Sequence, residues 1–251
     1  MKVQQFGVIA VTGLLFATGY AGFKARAAVH PQASDTIDAA RRQIANGDKA
    51  QAKGYAESML MGQRLLVAVD YGDTPASQIG TCSESLAGAF EMWETALHGD
   101  VKFALAKPGE EATIKIRYGK DVRLDGSIVS GYINWSRTIE RQGNQATPIF
   151  NADIHLRTTD PNGKQMNAVQ MRHTAGHELG HMFGLDDVNT VGMLMGPLDL
   201  RRPVSKPNPT EIETVQAIRE ECENIVAKAD APHGHHFLGY GSCDEHEHKH
   251  H

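Results

Sequence analysis

Along the chain, apolar residues recur with two different periods, and the switches between them outline the elements. From Ser34 to Gly62 the period is helical: Ile37, Ala40 and Ile44 share one face, and Tyr55 and Met59 share the next. The Asn46-Gly47 pair interrupts the pattern, so two short helices are predicted. RLLVAVDYG, Arg64 to Gly72, reads as a first strand. SESLAGAFEMWETAL, Ser83 to Leu97, reads as a long amphipathic helix with Ala89, Phe90 and Trp93 on one face. VKFALA and ATIKIRYG are two more strands, the first alternating and the second β-branched. NADIHLRT, Asn151 to Thr158, is a further strand, and NAVQMRHTAGHELGH begins a helix at Asn167. PLDLRRPVSKPNP, Pro197 to Pro209, is a Pro-rich loop. Asn208 followed by Pro209 and Glu211 is an N-terminal capping signal for a helix from about Pro209 to Lys228.

The two ends stand apart from this core. Lys2 precedes an apolar run from Phe6 to Phe23, and Ala25-Arg26-Ala27 fits a small-residue cleavage site, so residues 1–27 read as a signal peptide. The run is long, with Lys24 and Arg26 flanking it, and an uncleaved membrane anchor is the alternative. Either reading puts the protein outside the cytoplasm, secreted or periplasmic. The last segment, 230–251, holds seven of the 13 histidines and little apolar content; it reads as a disordered tail with loose affinity for zinc or copper. Between the ends lie an N-terminal helical hairpin, 28–62, and a main domain, 63–229. Loss of residues 1–27 removes three of the 25 basic residues and none of the 30 acidic ones, leaving 22 against 30 and a net charge of −8. With no basic stripe and no phosphate-cradling glycine loop, nucleic acid is not a predicted partner. In an exported chain Cys82, Cys222 and Cys243 allow one disulfide; Cys82–Cys222 and Cys222–Cys243 are both open.

The chemistry is concentrated in HELGHMFGLDD, His177 to Asp187. Residues four apart on a helix stand one above the other, so His177 and His181 can turn ring nitrogens to one metal ion with Glu178 beside them as a general base. Gly184 is the residue type that leaves a helix in a left-handed conformation and swings the chain back. That return carries Asp187 towards the same ion as third ligand, with the adjacent Asp186 as competitor. Three such ligands leave a fourth position for water, which zinc makes acidic enough to ionise near neutral pH.

The pattern HExxHxxGxx followed by a ligand resembles the metzincin zinc proteases. The Asp in place of the usual third His resembles the snapalysin group, and VGMLMGP, Val191 to Pro197, resembles the Met-containing turn of matrixins, with Met195 as its methionine. The resemblance runs through 63–229 and implies an α+β metzincin-like fold: a mixed twisted sheet with an edge strand, a long active-site helix and a C-terminal helix. It implies that Asn151, Ala152, Asp153, Ile154 and His155 belong to the edge strand that pairs with an extended peptide or protein substrate. It also implies one catalytic Zn2+. A structural zinc is not predicted, because only His155 stands at a matching place. The implied function is that of an exported, monomeric zinc endopeptidase. A non-catalytic extracellular zinc- or copper-binding protein is the alternative. For the hairpin two readings stay open, a packing appendage or a pro-segment over the cleft. Matrixin latency uses a Cys, and none precedes Cys82, so a latch would need another residue such as Asp48. His173, on the face of His177, is read as a partly exposed helix residue, with metal competition as the other reading.

Overall fold

The structure, a computed structural model, describes residues 27–231. The predicted signal peptide or anchor, the His-rich tail and Cys243 lie outside the described residues. Two helices come first, α1 (Pro31–Ala45) and α2 (Lys49–Leu60), joined through Gly47 at φ +80. Then follow β1 (Arg64–Asp70), α3 (Ala76–Ala96), β2 (Lys102–Leu105), β3 (Ile114–Gly119), a small hairpin of β4 (Arg123–Leu124) and β5 (Ser127–Ile128), β6 (Gly131–Gln142), β7 (Gln145–Arg157), α4 (Ala168–Met182) and α5 (Pro209–Asp230).

The main sheet has the order β2-β1-β3-β7-β6. Its first four strands are parallel, while β6 runs antiparallel to β7 from Gly131 opposite Leu156 to Gln142 opposite Gln145. The inward side chains, among them Leu65, Val67, Ile114, Ile116, Ile154 and Leu156, pack on α3 and α4. Trp93, fully buried, donates its Nε1–H to the Gly176 carbonyl at 2.8 Å and ties those two helices together. The opposite face of β3 and β7 carries Lys115, Arg117, Asp153 and His155, which is the alternation of a sheet with one wet side.

A second core lies between α1, α2 and α5: Ala33, Ile37, Ala40, Ala52, Ala56 and Met59 meet Ile218, Cys222 and Ile225. Arg137 on β6 fastens this layer to the sheet. Its guanidinium lies 4.2 Å over the Trp135 ring and donates to the carbonyls of Ser58 at 3.1 Å and Met182 at 2.6 Å, joining α2 to the end of α4.

Several expectations need correction. Asn151, Ala152, Asp153, Ile154 and His155 do not form an edge: β7 is paired on both sides there, and the edge next to it is β6, a strand not among the predicted elements. Its residues do alternate, with Ile133, Trp135 and Ile139 partly buried against exposed Asn134, Ser136, Thr138 and Glu140, but the charged Arg137 breaks the apolar row. The long helix α3 starts at Ala76 rather than Ser83. Cys82 and Cys222 are both buried free thiols in different cores, so no bridge joins them. Asp48 is no latch; it caps α2 by accepting from Gln51 N–H and pairs with Arg141 at the far end of the β6–β7 hairpin.

Candidate metal centre

Helix α4 is set by its ends. Asn167 and Gln170 form a reciprocal capping box at the start, each side chain accepting the other's backbone N–H at 3.0 Å. At the other end Leu185 N–H reaches the Gly180 carbonyl at 3.1 Å and Gly184 N–H the His181 carbonyl at 3.0 Å, with Gly184 at φ +93. This is a Schellman stop, and the positive φ is why a glycine stands there.

The N-terminal strap holds the returning chain. His30 N–H donates to the Gly184 carbonyl at 2.8 Å, Asp186 N–H to the Ala28 carbonyl at 2.9 Å, and Val29 bridges Leu185 in antiparallel register. Asp186 turns its carboxylate to the Asp187 N–H at 2.9 Å, leaving Asp187 to face the histidines. His177 Nε2 stands 3.0 Å and His181 Nε2 3.6 Å from Asp187 Oδ1. In a tetrahedral zinc site with bonds of about 2.0–2.1 Å, neighbouring ligand atoms lie about 3.3 Å apart, so these separations fit the ion. Both Nδ1 atoms are engaged elsewhere. His177 Nδ1–H donates to the Leu194 carbonyl and His181 Nδ1–H to the Leu185 carbonyl, each at 2.9 Å. That tautomer leaves each Nε2 lone pair for a metal and fixes both ring planes. Among the described residues this is the group of three whose ligand atoms come close enough together to hold an ion.

The charges respond to one another. Burial works to lower the His177 pKa, but the hydrogen bond to Asp187, neighbouring Glu178 and the Leu194 carbonyl outweigh it, and the net shift is upward. Asp187 is held below the usual carboxylate range, first by that same bond to His177. His181 is pushed down, chiefly by burial and by the positive field of His177. Burial pushes the Glu178 carboxyl up to about 7, with His177 opposing and Asp187 adding to the rise. A carboxyl poised there is suited to taking and returning a proton.

Met195 lies beneath the histidines, buried, where the absence of a side chain at Gly180 admits its sulfur against α4. Its backbone is held on both sides: Met195 N–H donates to Glu211 Oε1 at 2.8 Å, and the Met195 carbonyl accepts from Val188 N–H at 2.9 Å. Beside Glu178 the edge strand comes close. A Cβ on Gly131 would lie 2.7 Å from Thr174 Cγ2 and 2.9 Å from Glu178 Oε1, so only glycine lets β6 pass.

Sequence reasoning overlooked several residues. Glu211 is more than part of a cap: its Oε2 accepts from Asn208 N–H at 2.7 Å, while its Oε1 supports the Met turn. His30 carries no motif but sits with its ring 6.0 Å from that of His181 and 5.3 Å from Trp135. His173 is not partly exposed; it is 1% exposed, because the loop after the Met turn folds over it and Val204 N–H donates to its Nδ1 at 2.8 Å. This bond also removes it from the metal. His155 stacks on Tyr132 with ring centroids 4.5 Å apart and lies 3.3 Å from Asp153, on the wet face of the sheet.

A cavity of about 320 Å³ opens beside the ligands, lined by His173, His177, Glu178, Asp187, Met195 and Pro197 among others. A larger one, about 750 Å³, lies behind the sheet between α2, β7 and α5 and contains none of this chemistry. The smaller cavity is the relevant one, because it adjoins the ligand atoms.

The model of the matrixin family, Peptidase_M10, matches residues 70–218. Matrix metalloproteinase-21 of Homo sapiens is 23% identical over 184 residues, 69% of this chain and 30% of that protein. Its counterpart from Xenopus laevis is 24% identical over 149 residues, 57% of this chain and 22% of that protein. The chain therefore spans less than a third of the length of these relatives. Among solved structures, archaemetzincin from Methanopyrus kandleri superposes with a TM-score of 0.42 at 16% identity, covering 63% of this chain and 96% of that one.

Proposed function

Because the chain belongs to the matrixin family of peptidases, we propose that it is a zinc endopeptidase that hydrolyses an extended peptide with Glu178 as general base. The observation that carries this reading is the convergence of His177 Nε2, His181 Nε2 and Asp187 Oδ1 beside a buried carboxyl, with both Nδ1 atoms already spent on backbone carbonyls. A zinc ion bound there supplies Lewis-acid chemistry and makes hydroxide available near neutral pH.

The chain's own groups do the rest. Glu178 accepts a proton from the attacking water and returns it to the departing amine nitrogen, so no covalent bond to the chain forms. The substrate backbone pairs with the free edge of β6 rather than with β7, because β7 has no unpaired side from Ala152 to Leu156. The N-terminal half of β6 is the part beside Glu178; further along, Ile139 is packed against Gly54 of α2. The hairpin α1–α2 is read as a permanent part of the enzyme, since it shares a core with α5 and since the strap before α1 holds the third-ligand turn. Export is assigned to residues 1–27.

The test joins metal analysis to digestion. The purified protein should hold one zinc per chain and cleave casein, and a chelator should stop cleavage. Glu178→Gln should keep the zinc and lose roughly 10²- to 10⁴-fold in rate. Tight zinc with no digestion by the unmodified chain would identify a metal carrier instead.

A further inference from the structure

Strand β7 outruns its inner neighbour. It pairs with β6 from Gln145 to Leu156 but with β3 only from Ala152 on, because the chain before β3 bends at Thr113 and joins the sheet there. The bond that opens this pairing runs from Ala152 N–H to the Thr113 carbonyl at 3.0 Å. Backbone groups along a strand turn to the same side at every second residue, so Phe150 and Pro148 direct theirs as Ala152 does, to a side where β3 does not reach. Pro148 agrees with this, since a residue without an N–H is tolerated in a sheet where that side lacks a neighbouring strand. The stretch Gln145 to Phe150 therefore presents about 20 Å of unpaired strand edge.

A groove follows this edge. One part is the cavity of about 750 Å³, walled by Pro148, Ile149 and Phe150 on one side and by Leu60 and Met61 at the end of α2 on the other. Beside Gln145, Ala146 and Thr147 a second cavity, about 440 Å³, takes over. Glu57, Asp100 and Glu223 line the first against the guanidinium of Arg219, three negative charges to one positive and a net of −2. Arg219 is already engaged by the Leu60 carbonyl at 3.4 Å and stands 3.9 Å from Asp100. The lysines of the second cavity are also engaged, Lys53 by Asp230 at 2.8 Å and Lys49 by the Ala231 carbonyl at 2.6 Å.

We propose that this groove docks an extended segment of a partner protein, which adds to β7 in the place that β3 does not reach and carries lysine or arginine among apolar residues. Each wall sets one requirement. The strand edge asks for a backbone that can pair with it, which selects an extended peptide. Leu60, Met61 and Ile149 offer apolar contact, and the net negative lining favours a cation. The chain's own C-terminal segment has the wrong charge for this, with Asp244, Glu245 and Glu247 against Lys249.

The experiment follows the fluorescence anisotropy of labelled Val-Lys-Val-Lys-Val and Val-Glu-Val-Glu-Val peptides titrated with the full chain, each probe checked by mass spectrometry to be intact. The lysine peptide should bind roughly 10-fold more tightly than the glutamate peptide. N-methylation of its central valine removes a backbone donor and should weaken it by about 5-fold or more. Glu57→Gln combined with Glu223→Gln brings the lining to a net charge of zero and should bring the ratio of the two affinities near one, with zinc content and casein cleavage unchanged. Absence of saturable binding, equal affinities in the unmodified chain, an N-methylated peptide that binds as well as its parent, or an unchanged ratio in the double variant overturns the inference. A carbodiimide cross-link from Lys249 to Glu57 or Glu223 in the peptide-free chain also overturns it, giving the groove to the chain's own end. None of these outcomes bears on cleavage, so the peptidase reading stands or falls separately.

Discussion

Gly180, between the two histidines, poses a test in which two physical effects have opposite signs. Gly→Ala inside a helix stabilises by about 1 kcal/mol when nothing else changes. Here an added Cβ would run into Met195 Sδ and lie 3.2 Å from Trp93 Cζ2. Neither neighbour is free to retreat. Trp93 is fully buried and bonded to the Gly176 carbonyl, and the Met195 backbone is held by Glu211 and Val188. Overpacking of this kind costs about 1–3 kcal/mol, and with both neighbours pinned the upper end applies. The net expectation for Gly180→Ala is destabilisation by about 2 kcal/mol, a fall of roughly 4–8 °C in Tm for a chain of this size. Since Leu194 orients His177 and precedes Met195, displacing the turn should also weaken zinc by about 10- to 100-fold. Urea and thermal unfolding followed by circular dichroism, with and without zinc, measure the first effect; competition with a chromogenic chelator measures the second. Met195→Ala alone should cost about 2–5 kcal/mol for its cavity, and about 2 kcal/mol less when combined with Gly180→Ala, whose methyl group helps to fill it. A rise in Tm for Gly180→Ala, or strict additivity of the pair, would refute the account of how the Met turn is seated.

Three further outcomes are expected. Deleting residues 28–62 would expose Ile218, Cys222 and Ile225 and release the strap on Gly184 and Asp186; the remainder should lose cooperative unfolding, and a soluble, zinc-binding 63–229 fragment would restore the pro-segment reading. In the metal-free protein His173 titrates near 4 when folded against an ordinary 6.5, so the unfolded chain alone takes up its proton between those values. Stability should therefore fall as pH drops from about 6.5 to about 4, on the order of 2 kcal/mol more steeply than in His173→Asn; parallel curves for the two proteins would contradict this. Asp187→Asn removes the one anionic ligand and should weaken zinc by more than about 10²-fold, beyond what loss of a supporting hydrogen bond costs; isothermal titration would reveal an unaltered affinity if Asp186 were the true ligand.

Legibility varied with how local the determinant is. The break at Asn46-Gly47, the caps at Asn167 and Asn208 and the stop at Gly184 are each decided by a few neighbouring residues, and the structure has helix ends at those places. Strand β6 escaped notice because Arg137 breaks the apolar row of its alternation, and the assignment of the edge to β7 failed for a different reason: which strand is last in a sheet depends on pairing, not on composition.

The amino-acid sequence by itself located the helices, strands β1, β2, β3 and β7, and the ligand spacing of His177 and His181, because helical geometry converts an interval of four residues directly into proximity. Only the tertiary structure decided that Asp187 rather than Asp186 faces the histidines, that Leu194 and Leu185 fix their tautomers, that β6 passes Glu178 at Gly131, and that His173 is buried with an unpaired donor. Each of these depends on segments far apart in the chain meeting at close range. Such meetings are set by packing, which no short window of sequence contains.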